Sequence, residues 1–220
     1  MVKKELLRNF MVTVLVGLIL SMNSIDIFAS KYIYENEAAS LNKYGLYKGV
    51  STTIFDPGLG MIADRETGLV MLLRLVNEEK NALGLDDTVV DELLSNFADG
   101  SEISGWARKQ IAYAVKVGIV KGYPDKTLKP KEILTSKTYC TMILKALGHD
   151  FEFNQSVNLF CDLSGTNGGL REEFLEDGSI NRDLMVGISY RAILASYKQD
   201  GKTLRQKLLD EGVIKIEREY

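Results

Sequence analysis

The chain has 220 residues, of which 45% are hydrophobic and 26% charged, with a formal net charge of −3. That length buries a sizeable core, and the composition excludes a wholly disordered chain. The charge supplies no basic field for a nucleic-acid backbone. Two cysteines cannot build a disulfide-rich scaffold or a four-cysteine zinc site, and the single histidine, His149, argues against a His-rich metal site or a histidine-based triad. No cofactor, metal or catalytic group is expected.

In chain order, residues 1–8 are basic at Lys3, Lys4 and Arg8, 10–20 form an eleven-residue apolar run, and 23–30 turn polar and then small. This is the plan of a secretory signal. The run is shorter than the ~20 residues that span a bilayer. Cleavage after Ala29 removes Lys3, Lys4, Arg8, Glu5 and Asp26, leaving 24 basic and 28 acidic residues, a net charge of −4. Secretion allows Cys140 and Cys161 to pair, but each lies in an apolar helical pattern, which favours two small buried residues at helix contacts.

The remainder repeats itself. Gly45-Leu46-Tyr47-Lys48-Gly49 recurs as Gly118-Ile119-Val120-Lys121-Gly122, and the same offset of 73 carries Phe55 to Leu128 and Pro57 to Pro130. Beyond the prolines the offset is 71, placing two extra first-copy residues within 58–63. Each copy reads as an amphipathic helix ended by Gly, a short extended turn, and a second helix. In the second copy the first helix is predicted over 104–117, with Trp106, Ala107, Ile111, Ala114 and Val115 on one apolar face, so Trp106 is expected in the core. Tyr123-Pro124-Asp125-Lys126-Thr127 is turn chemistry. Thr135 caps the next helix, which runs to Leu147. Between the copies, 77–95 is charged and reads as a loop with one short helix over 89–94. A third, degenerate copy has a short helix over 157–163 and a second helix from Asn181. Arg74, Lys145 and Arg191 fall at matching depths. A last helix over 203–211 opens with the capping pair Thr203 and Gln206.

Phe97-Ala98-Asp99, Trp106-Ala107, Gly118-Ile119-Val120-Lys121-Gly122-Tyr123-Pro124-Asp125, Leu134-Thr135 and Ala146-Leu147-Gly148 together resemble an S-layer homology repeat. The first copy is similar through Gly45–Gly49, Phe55-Asp56-Pro57 and Arg65, and the third through Asn181-Arg182 and 203–214. The resemblance implies a mainly α fold: three helix–turn–helix repeats in a pseudo-threefold arrangement, a central bundle of second helices, and short extended turns. The expected divisions are 1–29 signal, 36–77 first repeat, 78–95 connection, 96–149 second repeat, 150–214 third repeat with a terminal helix, and 215–220 tail. It also implies a secreted, non-catalytic module at the wall of a Gram-positive cell. Its partner would be secondary cell-wall polysaccharide, a peptidoglycan-linked glycan, held through a pyruvylated sugar in grooves between repeats. S-layer proteins are further expected partners; nucleic acid is not, nor a membrane after signal removal.

The family's Thr-Arg-Ala-Glu signature falls here on Asp64-Arg65-Glu66-Thr67, Thr135-Ser136-Lys137-Thr138 and Asn181-Arg182-Asp183-Leu184. All three keep an N-cap and lack Glu three residues later. Arg65 and Arg182 sit in first turns, where the helix dipole disfavours a cation. With free N–H groups beside it, such an Arg suits a carboxylate. The competing reading ties each Arg to a nearby acid, Glu66 or Asp183. Ser136 replaces the Arg in the second copy and Lys137 lacks the planar fork, so at most two competent grooves are expected. The candidate ligand residues are Arg65, Arg182, Tyr123, Gly122, Gly49, Trp106 and Lys137. His149, after a helix-ending Gly, is expected to be exposed. Two other functions compete: an extracellular protein-interaction scaffold whose glycan binding has decayed, and a wall hydrolase using the acid pairs Asp86-Asp87 or Glu172-Glu173.

Overall fold

A computed structural model of the chain describes residues 31–176 and 178–215. The expected signal over 1–29, its cleavage after Ala29 and all but the first residue of the tail lie outside them. The described residues are mainly helical. Three helices of eleven residues each carry the plan: α2 (Arg65–Leu75), α6 (Ser136–Ala146) and α9 (Arg182–Ala192). Around them lie α1 (Glu35–Lys43), α3 (Glu79–Leu83), α4 (Asp87–Ser95), α5 (Arg108–Lys116), α7 (Ser156–Ser164), α8 (Gly168–Leu175) and α10 (Leu204–Asp210).

The second helices start where their caps place them. Asp64, Thr135 and Asn181 are extended, and their side chains accept the N–H of Thr67, Thr138 and Leu184. Each cap contributes about 1 kcal/mol. The short stubs before these helices pair with one another. Ala63 N donates to Ile180 O at 3.1 Å, Ile180 N to Leu134 O at 2.9 Å, and Leu134 N to Ala63 O at 2.8 Å. The three residues are buried, so the closed ring satisfies backbone groups that water does not reach. α2, α6 and α9 contact one another beneath it. Tyr139 and Ser189 share a buried hydrogen bond of 2.8 Å between α6 and α9.

Several local expectations change. The matching turn bonds are Val50 N to Asp56 O and Tyr123 N to Thr127 O, both 2.8 Å. The two extra first-copy residues therefore lie in the 51–55 loop, not in 58–63, and Leu59 rather than Pro57 matches Pro130. The charged connection forms two helices, α3 and α4, because Ala82, Val90 and Leu94 bury against α5. α8 has no signal in the sequence: only Phe174 of its residues is buried, 6.2 Å from Phe160 between ring centres. α5 starts at Arg108, not 104, since 104–107 form a turn. α10 keeps its capping box, with Thr203 N to Gln206 Oε1 at 2.8 Å and Gln206 N to Thr203 Oγ1 at 3.2 Å.

No described helix is long and apolar enough to cross a membrane. Cys140 and Cys161 are free and buried, on the packed helices α6 and α7. Burial pushes both thiols up, Cys140 strongly. A thiolate-seeking disulfide reagent is therefore expected to label neither in the native protein and both after denaturation, as read by absorbance of the released thiol. Fast native labelling would contradict the packing.

Candidate functional site

The first N–H groups of α2 and α9 are not free. Arg65 N and Glu66 N donate to Glu132 O and Pro130 O, each at 3.0 Å. Arg182 N and Asp183 N donate to Met61 O and Leu59 O at 2.8 and 3.0 Å. The cap side chains take the third N–H in each helix. This overturns the expectation of open helix-start donors: loops that lead to one second helix satisfy the start of another. Any anion here must be held by side chains.

The two acids beside the arginines do not pair with them. Glu66 accepts Ser104 N at 3.1 Å, Ser104 Oγ at 2.6 Å and Lys131 Nζ at 2.5 Å. Asp183 accepts the N–H groups of Ile33 and Tyr34, both at 2.9 Å. Each acid thus clasps the chain entering another first helix. Neither arginine is tied to the acid that follows it.

Arg182 faces a cavity of about 370 Å³ with the Tyr47–Gly49 turn, α2 and Trp106. Arg65 faces one of about 310 Å³ with Lys121, Gly122, Tyr123, α6 and Phe153. The two are built on corresponding positions. Thr67, Val70 and Met71 stand in one where Thr138, Thr141 and Met142 stand in the other. Gly49 and Gly122 have φ of +69° and +76°. A Cβ at Gly49 would lie 2.1 Å from Asp56 O, and one at Gly122 2.9 Å from Thr127 O. Only glycine allows these turns.

Trp106 is not in the core. It is 55% exposed, because the turn at 104–107 breaks the helical face that would have buried it. Phe153, which the sequence reading passed over, is 52% exposed in the other groove. Both precede a first helix; that shared position was the missed signal. Ile33 holds that place before α1 and is 72% exposed, while Tyr34 next to it is buried. Tyr34 lies against Gly187, where a Cβ would come within 2.5 Å of its ring, and its hydroxyl donates to Glu173 at 2.6 Å. Tyr34 thus occupies the surface of α9 that corresponds to the open grooves.

Tyr123 forms a groove wall. Its ring stacks on the Arg65 guanidinium at 5.1 Å and on Lys129 at 4.4 Å. Its hydroxyl donates to Glu132 at 3.0 Å; burial first, and then this acid, push the phenol up against the pull of Arg65. Lys137 reaches the Phe153 ring at 5.7 Å without lining the cavity. Ser136 is buried and its hydroxyl has no partner among the described residues. Arg74 lines the Arg182 groove but is tied to Glu79 at 2.7 Å. Burial alone would raise the Glu79 carboxyl, yet Lys48 and Arg74 hold it below its ordinary value. Contrary to expectation, His149 is half-buried, with Nε2 2.7 Å from Ser196 O.

None of the curated proteins matches the chain. Residues 96–135 match the S-layer homology domain. The match takes in Trp106, Gly122 and Tyr123 and ends on the Thr135 cap; Arg65, Arg182, Gly49 and Lys137 lie outside it. With that match set beside the glycine turn and capped helix it covers, residues 96–135 of the chain are identified as an S-layer homology domain.

Proposed function

We propose that this protein is a non-catalytic cell-wall anchor. Its three helix–turn–helix units act as a pseudo-threefold module that holds secondary cell-wall polysaccharide in the grooves between them. S-layer homology domains are anchoring modules for secondary cell-wall polymers. The observation that carries the finer reading is the repeated groove: an arginine from one second helix, a glycine turn from another repeat, and an exposed aromatic. Such a groove offers a charged fork and an aromatic face, which suits a pyruvylated sugar. Export by the 1–29 signal, residence on a Gram-positive wall and proximity to S-layer proteins belong to the same reading.

The ligand is anionic and so is the protein, so long-range attraction does not drive capture. The local cation must. Retention of residues 30–220 on purified walls is expected to fall at least about tenfold when the polysaccharide is stripped or its pyruvate removed. Equal retention on stripped walls would overturn the carboxylate reading. Of the acid pairs weighed for a hydrolase, Asp86 and Asp87 lie at the start of α4, and Glu173 is engaged by Tyr34.

A further inference from the structure

The two grooves share a plan but not a chemistry. Leu128 O and Pro57 O occupy matching places, each two residues before the carbonyl that accepts a second-helix N–H. In one groove Arg65 Nε donates to Leu128 O at 3.1 Å. In the other, the Tyr47 hydroxyl donates to Pro57 O. Arg182 Nε is then left buried with no acceptor among the described residues, although the guanidinium lies close enough to the Tyr47 hydroxyl to offset part of the rise that burial gives that phenol. Val120 stands where Tyr47 stands and has no hydroxyl, so nothing competes with Arg65 for Leu128 O.

Two further differences act in the same direction. Glu132 lies 3.9 Å from Arg65 Nε, and its counterpart beside Arg182 is Met61, which is uncharged. Tyr123 covers Arg65, and its counterpart is Val50, which is 41% exposed. The Arg65 side chain is only 8% exposed. Among the described residues no carboxylate lies within ion-pair distance of Arg182.

We infer that the grooves are unequal: the Arg182 groove takes the carboxylate of a sugar-borne acid, Arg65 is a structural arginine, and Tyr47 is the positioning residue that frees Arg182 by occupying Pro57 O. This rests on the polysaccharide reading for its ligand, but not for its arginine geometry. A guanidinium already donating to a carbonyl, stacked under an aromatic ring and facing a carboxylate has little left for a ligand. One with an unsatisfied buried donor gains a partner when an anion arrives.

Two measurements on the folded chain test it. The first needs no ligand: the arginine side-chain N–H resonances, assigned by nitrogen-15 NMR. The Arg65 Nε–H is expected to be protected from solvent exchange. Tyr47→Phe is expected to shift the Arg182 Nε–H toward the Arg65 pattern, as Pro57 O becomes available, and to leave Arg65 unmoved. An Arg182 signal unchanged in Tyr47→Phe overturns the inference. The second is calorimetric titration with the 4,6-pyruvate ketal of methyl glucoside. Arg182→Gln and Tyr47→Phe are expected to weaken binding by about tenfold or more, and Arg65→Gln by less than about threefold. Because Arg65→Gln disturbs a buried group, Val120→Tyr with Glu132→Met serves as its counterpart, and is expected to add a second binding event. A larger loss from Arg65→Gln than from Arg182→Gln in folded protein overturns the inference and leaves the polysaccharide reading standing. Absence of ketal binding in the unaltered chain, with the resonance shifts as expected, rejects the carboxylate reading and supports the unequal arginines.

Discussion

Glu66→Ala is expected to destabilise the protein by about 3 kcal/mol, measured as a lower urea midpoint at unchanged slope. The Glu66 side chain is 2% exposed. It binds the Ser104 N–H and hydroxyl, and Lys131 lies across them at 2.5 Å from both Glu66 and Ser104. Lys131 is 48% exposed and can turn to water, so losing its ion pair costs little. The cost comes from the Ser104 N–H, left half-buried without its charged acceptor, and from the cavity beneath it. Glu66→Gln keeps the shape and a neutral acceptor, and should cost about half as much. Asp183→Ala should behave like Glu66→Ala, since it strands the N–H groups of Ile33 and Tyr34. Lys137 holds the corresponding position on α6 and makes no such clasp. There the Ser156 hydroxyl donates to the Lys137 carbonyl at 3.3 Å instead. Lys137→Ala should therefore stay within about 0.5 kcal/mol of the unaltered chain. Equal losses at all three positions would contradict the clasp.

The parts of the fold that were legible in the sequence are those with local causes. The caps Asp64, Thr135 and Asn181, the Thr203–Gln206 box and the Gly49 and Gly122 turns each depend on neighbours within a few residues. What was hidden depends on distant partners. Glu66 reads as a salt-bridge partner for Arg65, and only the fold brings it to Ser104, 38 residues away. Asp183 meets Tyr34 across 149 residues. Trp106 matched a helical apolar face in sequence, but the chain is not helical there. α8 escaped because a helix that buries one Phe has almost no periodic signal. Of the groove residues, Gly49 and Gly122 follow from aligning the copies, Tyr123 from the turn after Gly122, and Arg65 and Arg182 from the resemblance to the Thr-Arg-Ala-Glu signature. Tyr47 stands in the aligned copies but meets the Pro57 carbonyl only in the folded chain, and Phe153, outside them, comes to the α6 groove only there.

Trp106→Ala is expected to reduce wall retention by about tenfold while leaving thermal stability nearly unchanged. The side chain is more than half exposed and lines the Arg182 groove, so its removal uncovers no core, and surface changes of this kind stay within about 0.5 kcal/mol. A sugar laid against the indole face covers that apolar surface, and an aromatic contact of this type is worth about 1.5 kcal/mol, close to tenfold in affinity. Phe153 is as exposed but stands beside the Arg65 groove, whose arginine is already engaged, so Phe153→Ala should leave retention unchanged. Trp106 is the one tryptophan in the chain. Its fluorescence therefore reports this groove alone, and titration with solubilised wall polysaccharide should move the emission to shorter wavelength and saturate. The shift should persist in Phe153→Ala and vanish in Arg182→Gln. Retention that survives Trp106→Ala with no emission change in the unaltered protein would place the glycan outside the Arg182 groove. Unaltered emission together with lost retention in Phe153→Ala would assign it to the Arg65 groove instead.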